Sequence, residues 1–266
     1  MNSEIQFKQL RRWNIEAAIL HFVSGIAMVA LSTDMKVPVM TSFLKFNVAS
    51  QSLVPDQQVW FRLPLGILVA SFLFISALAH LIIATSYNKK YNAGLIKGIN
   101  KARWVEYALS SSIMIVVIST LVGISDVAAL IPIFFVNVAM ILFGWMMELH
   151  NGSTGSPQVG SIALTTGQKT DWTAFIFGCI TGIAPWLAIG LYLWSPGSAS
   201  DPPTFVYWIF FSIFVFFNIF ALNQFLQYKK IGKWKSYLYS ERAYIILSFV
   251  AKSLLAWQVF AGTLRP

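Results

Sequence analysis

Two charged residues in this chain stand where charge is costly. Lys252 lies near the middle of an apolar run, Ala243 to Leu264, long enough to cross a bilayer as a helix. A lysine at that depth costs about 2.5–3.5 kcal/mol on insertion scales, and from mid-helix it cannot snorkel to an interface. Glu106 lies about two turns inside another apolar stretch, if that helix starts near Gly98. Either charge left alone would be expensive to bury. A desolvated lysine amine can condense with a carbonyl compound to a Schiff base. It can also be a structural lysine lining a wet cavity, and the charge alone does not choose between the two.

Further polar residues share faces with this pair. Arg103 comes three residues before Glu106 and Ser110 four after it, on one helix face. Ser248 lies one turn before Lys252, Ser76 and His80 are spaced i, i+4, and His21 sits inside the first apolar run. By helix rise, Glu106 is about 12 Å and Lys252 about 20 Å from the same membrane face, a gap that a lysine stem can close. Glu106 can therefore pair with Lys252, or with Arg103 alone. His21 and His80 can be satisfied helix–helix residues or proton-handling groups. Two histidines with no carboxylate nearby do not make a zinc site, which needs three or four ligands. Pro185 can kink its helix and push Trp186 inward, or Trp186 can simply pack. The single cysteine, Cys179, permits no internal disulfide and is expected to be a small buried side chain.

The elements that must position these residues follow from composition. Of 266 residues 57% are hydrophobic and only 11% charged, and the mean hydropathy is +0.67. Soluble domains carry about 25% charged residues. The expected fold is an all-α membrane protein, a single domain of seven transmembrane helices with a small β-hairpin in the first outer loop. The spans fall at about 13–31, 63–86, 99–123, 127–149, 171–194, 204–228 and 239–262. Residues 3–12 read as a short amphipathic interfacial turn. No small-residue cleavage pattern closes the first apolar run, so it reads as a helix and not as a signal peptide. The stretch Val37–Val48 has the β-branched and aromatic content of a short hairpin. The Gly/Ser/Thr-rich loop His150–Thr170 is expected to be mobile. The aromatics of the sixth span, Phe205 to Phe220, read mostly as lipid-facing or packing residues.

The net charge of +9 could point to nucleic acid, but the basic residues cluster in short loops as topology signals do. Fourteen of the nineteen Lys and Arg fall on the side of the N-terminus, four on the other side, and the last is Lys252. The positive-inside rule then puts the N-terminus in the cytoplasm of a multi-pass cell-membrane protein. Membrane lipid, not nucleic acid, is the expected surrounding.

Seven helices with a lysine in the last and a carboxylate in the third resemble the retinal-binding rhodopsins. More closely, Arg103–Ser112 (RWVEYALSSS), Asn137–Trp145 (NVAMILFGW), Phe216–Leu222 (FFNIFAL) and Glu241–Trp257 (ERAYIILSFVAKSLLAW) are similar to heliorhodopsin motifs. The resemblance covers all seven spans. Heliorhodopsins are inverted relative to other microbial rhodopsins, and the basic-residue count independently gives that orientation.

The resemblance implies all-trans retinal on Lys252 as a protonated Schiff base, with Glu106 as counterion. It implies a polar cavity beside the Schiff base formed by Ser76, His80, His21, Ser110, Ser248 and Arg103. It implies a chromophore pocket lined by Asn137, Met140, Ile141, Gly144, Trp186 and Phe217. Homodimers, and a long first outer loop with a small β-sheet, are further properties of the family. No metal site and no enzymatic activity are expected. The favoured reading is a light-sensing protein with a slow photocycle, no net ion pumping, and a cytoplasmic signalling partner that no residue names. The loop His150–Thr170 or the basic loop after the sixth span could report to it. Two other readings stay open: a light-driven or light-gated ion transporter, and a membrane protein without retinal that keeps a structural Lys–Glu pair. Against a pump, the position eleven residues after Glu106, where outward-pumping rhodopsins carry a proton donor, is Val117.

Overall fold

The computed structural model describes residues 3–151, 169–194 and 203–265. Its elements are α1 (Ser3–Leu31), β1 (Lys36–Asn47), β2 (Ser52–Pro64), α2 (Leu65–Ala84), α3 (Asn88–Ile96), α4 (Lys101–Leu121), α5 (Val127–Asn151), α6 (Thr173–Leu193), α7 (Thr204–Lys229) and α8 (Tyr237–Val259). The last turn of α8 widens into a π turn, Phe260–Leu264. Among the described residues seven helices, all but α3, are long and apolar enough to span a membrane. Most of the expected mobile loop after the fourth span lies outside the described residues.

Helix ends follow from local chemistry. Gly98 (φ +71°) adopts the left-handed backbone that stops α3. Asn100 then caps α4, its side-chain oxygen accepting the Arg103 N–H at 3.1 Å. Gly123 (φ +97°) follows the end of α4, and Asp126 opens α5 by accepting the Ala128 N–H at 2.7 Å. The first helix begins ten residues earlier than the expected span, so the amphipathic turn at 3–12 is its first part. The basic loop after α2 contains the short helix α3, which buries Tyr91 and Leu95.

The hairpin is longer than expected. Val37–Val48 is not a hairpin by itself: nearly all of it is one strand, β1, paired antiparallel with β2 from Lys36↔Pro64 to Asn47↔Ser52. The reversal comes at 48–51. There Asn47 accepts the N–H groups of Ala49 and Ser50, and Gln51 takes φ +50°. Pro38 and Pro55 fit a two-stranded sheet, in which each strand has an unpaired edge. The base of the hairpin buries Val37 and Val39 and is tied to the bundle by Met40 N–H donating to Ser125 O at 2.8 Å. Its tip is exposed.

The helix that carries Glu106 is the most enclosed. In α4, 61% of the most apolar stretch is buried, against 22% in each of α5, α6 and α7. The outer helices are mostly apolar and present Ile131, Leu187, Leu191 and Trp208 outward, as a bundle in lipid does. Cys179 also lies on the exposed surface of α6, not buried as the sequence led us to expect. Its apolar neighbours in sequence face lipid, so an apolar run did not mean a buried one.

Candidate functional site

α8 carries Lys252 inward to meet α4. The amine donates to Glu106 Oε1 at 2.6 Å and to Ser248 Oγ, one turn before it, at 2.8 Å. Both members of the pair are about 5% exposed or less. Ser76 Oγ of α2 stands 2.7 Å from the same Glu106 oxygen and 2.8 Å from Phe72 O. It has one hydrogen, and an ionised carboxylate is the stronger acceptor. Two helices, α2 and α8, thus converge on one carboxylate oxygen carried by α4.

The two histidines lie beside this centre. Their rings stack at 5.8 Å with an interplanar angle of 16°. His80 Nδ1 is 2.7 Å from Asn14 Oδ1. Among the described residues, His80 Nε2, both His21 nitrogens and the Ser110 hydroxyl on α4 are buried with no hydrogen-bond partner. Such atoms need a ligand group or ordered water.

Arg103 turns away from Glu106. Its guanidinium donates to Glu148 of α5 and Glu241 of α8, both almost fully buried. Glu148 also accepts from Trp104 Nε1 (2.6 Å), Asn100 N (2.9 Å) and Tyr237 OH (2.9 Å). Arg103 does border a small cavity of about 20 Å³ with His80 and Glu106, so it touches the polar region without joining the ion pair.

A larger, mainly apolar cavity of about 190 Å³ runs up to Lys252. Met140, Ile141, Gly144, Trp186 and Phe217 line it, as do Ser110 and Ser248. Asn137 stands behind the wall, donating to Ser111 Oγ at 2.8 Å and Ser112 Oγ at 3.0 Å. Trp186 is set edge-on by Phe210, Phe214 and Phe217 at 5.1–5.5 Å. Glycines make room: a Cβ on Gly144 would stand 2.5 Å from the Trp104 ring, and one on Gly182 would stand 2.5 Å from Met140 Sδ.

Several site residues were missed in the sequence. Tyr107 places its ring centroid 5.1 Å from Lys252 Nζ and donates its hydroxyl to Tyr244 O at 2.9 Å. Spacing could have found Asn14, seven residues and so two turns before His21. Spacing could also have found Glu241, eleven residues and so three turns before Lys252. Glu148 and Glu241 lie near helix ends, where position in the sequence does not mark them as site residues.

The arrangement fits a carbonyl ligand with a long apolar body. Such a cavity ends at a primary amine, and an aldehyde there would lose water to form a C=N bond. The carboxylate at 2.6 Å would hold that nitrogen protonated.

The heliorhodopsin family model matches residues 10–264. No curated protein matches the chain. Among solved structures, the crystal structure of the light-driven proton pump LR (Mac) from Leptosphaeria maculans superposes with a TM-score of 0.64 at 15% identity. The match covers 95% of this chain and 94% of that one, and at such identity it speaks for the fold alone. With a family match over almost its whole length, the chain belongs to the heliorhodopsin family.

Proposed function

We propose that this protein is a light sensor that holds all-trans retinal on Lys252, with Glu106 as counterion and the N-terminus in the cytoplasm. The observation that carries the reading is the Lys252–Glu106 pair at 2.6 Å, placed at the end of an apolar cavity. Retinal, bound through its aldehyde as a Schiff base, supplies absorption of visible light and a change of shape. The rest is done by the chain. Glu106 stabilises positive charge at Lys252 Nζ, and Ser76 and Ser248 fix the two partners in place. Met140, Ile141, Trp186 and Phe217 exclude water from the long part of the cavity.

His21 and His80 offer buried nitrogens on which a proton displaced from Nζ can rest and from which it can return. Return to its origin, not passage across, suits a slow sensing cycle without ion pumping. The family reading also brings a homodimer and a cytoplasmic signalling partner into the proposal.

Reconstitution of the purified chain with all-trans retinal tests it. A visible absorption band that hydroxylamine bleaches is the expected result. Absence of any such band in folded protein would overturn the reading.

A further inference from the structure

The buried cluster near the face where α1 begins carries an unbalanced charge. Arg103 lies between Glu148 and Glu241, and all three side chains are at most 4% exposed. One guanidinium against two carboxylates leaves one excess negative charge if all are ionised. Among the described residues no second cation bonds either carboxylate. The other titratable groups that face the cluster are His80 from α2, Tyr91 from α3, Glu106 and Tyr107 from α4, Tyr228 from α7, and Tyr237 and Tyr244 from α8. His80 bonds Asn14, not a carboxylate. An uncompensated charge in such a place is costly, and a bound proton removes it.

The hydrogen bonds show where that proton fits. Glu148 Oε2 receives Asn100 N–H and Trp104 Nε1–H, and Glu241 Oε2 receives Arg103. None of these donors can accept. On Oε1 of each carboxyl group a phenol stands beside a donor-only group: Tyr237 at 2.9 Å with the Arg103 guanidinium on Glu148, and Tyr91 at 2.9 Å with Asn100 Nδ2 at 2.8 Å on Glu241. A phenol oxygen accepts as well as donates, so it is the partner at each site compatible with a carboxylic O–H.

We infer that the Arg103–Glu148–Glu241 cluster binds one exchangeable proton in the resting protein, on a carboxyl Oε1 beside Tyr91 or Tyr237. A route joins this site to Glu106. The cavity of about 20 Å³ touches both Glu106 and Glu241 and has room for about one water. Around it His80 Nε2, Arg103 Nε and the Tyr244 hydroxyl are buried without a hydrogen-bond partner among the described residues. A water held there accepts a proton on one side and releases one on the other, so no further reactant is needed. The cluster is then a second proton site between the Glu106 centre and the face at which α1 begins.

The test uses the full chain in lipid nanodiscs, with the carboxyl carbons of its five glutamates isotope-labelled. Neither retinal nor light enters it, so its failure is separable from failure of the retinal reading. The expected infrared spectrum at neutral pH has one labelled C=O band of a protonated carboxylic acid, shifted in heavy water. Glu148→Gln and Glu241→Gln should each abolish the band, because the remaining carboxylate then pairs one to one with Arg103. Tyr91→Phe and Tyr237→Phe keep every charge, and at least one should shift the band if the glutamine variants do not fold. A wild type without the band, a band kept in both glutamine variants, or a band indifferent to both phenylalanine variants overturns the inference.

Discussion

Arg103 and Glu106, one turn apart on α4, turn to different partners: Arg103 to Glu148 and Glu241, Glu106 to Lys252 at 2.6 Å. An arginine at that spacing could have neutralised Glu106. Held by two carboxylates on α5 and α8, it leaves the charge of Glu106 to the amine. The electrostatics of the centre thus depend on a cluster that does not touch Lys252.

The amine is the first thing to remove. Lys252→Ala should give a folded protein that forms no visible band with retinal. It should also be less stable, because removing one partner of a buried pair typically costs about 3–5 kcal/mol. Adding Glu106→Gln should recover much of that loss, since the stranded carboxylate goes with it. Thermal unfolding of the two variants beside the wild type measures this. A double variant no more stable than Lys252→Ala would mean that the two residues do not share their charge.

Colour tests the counterion role proposed for Glu106. Excitation moves positive charge away from Nζ, so the charge on Glu106 favours the ground state more than the excited state. Glu106→Gln, or acidification that protonates Glu106, should therefore shift absorption to the red. An unmoved band in both experiments would assign the counterion role to another group.

Gly144 and Gly182 both leave space in the cavity wall, but their neighbours differ. A Cβ on Gly144 meets the Trp104 ring at 2.5 Å, and the Trp104 indole is anchored to Glu148 by a 2.6 Å hydrogen bond. A Cβ on Gly182 meets Met140 Sδ, the end of a flexible side chain. Gly144→Ala should cut pigment yield or move the band, while Gly182→Ala should leave both near wild type. Spectra of the two variants after reconstitution decide it, and equal effects would contradict the argument.

Much of this was legible in the sequence because the membrane makes polar residues conspicuous. Lys252, Glu106, Ser76 and Ser248 stood out in apolar runs, and the structure brings them within hydrogen-bond distance. The partners of Arg103 were not legible. Glu148 and Glu241 lie toward helix ends, where sequence cannot distinguish a solvated charge from one enclosed by a neighbouring helix. The hairpin length was obscured for a different reason. Strand pairing depends on β2, whose Pro55 and alternating polar residues look like loop until β1 is beside it.

Topology can be read with a reporter. The basic residues sit mainly on the side of the N-terminus, so a tag fused at Met1 should be inaccessible from outside intact cells. Labelling of that tag by a membrane-impermeant reagent in sealed cells would reverse the assignment.

Illumination should move no net protons. A pump needs proton-carrying groups on both sides of the amine. The polar groups around Lys252 gather on one side: Glu106, Ser76, His21 and His80 lead toward Asn14 and the Arg103 cluster, at the face where α1 begins. On the other side Met114, Val117, Ile118, Leu255 and Val259 belong to one buried apolar core, with Trp186 beside them. The polar residues there are tied locally. Ser119 donates to Ile115 O at 2.8 Å, and Ser212 donates to Gln258 Oε1 at 3.0 Å. A proton displaced from Nζ has a polar region to enter and an apolar barrier behind it, so it returns the way it left. Cells or liposomes in weak buffer should show no light-driven pH change, and voltage-clamped cells no photocurrent. A pH change abolished by a protonophore, or a reproducible current, would make the protein a transporter instead.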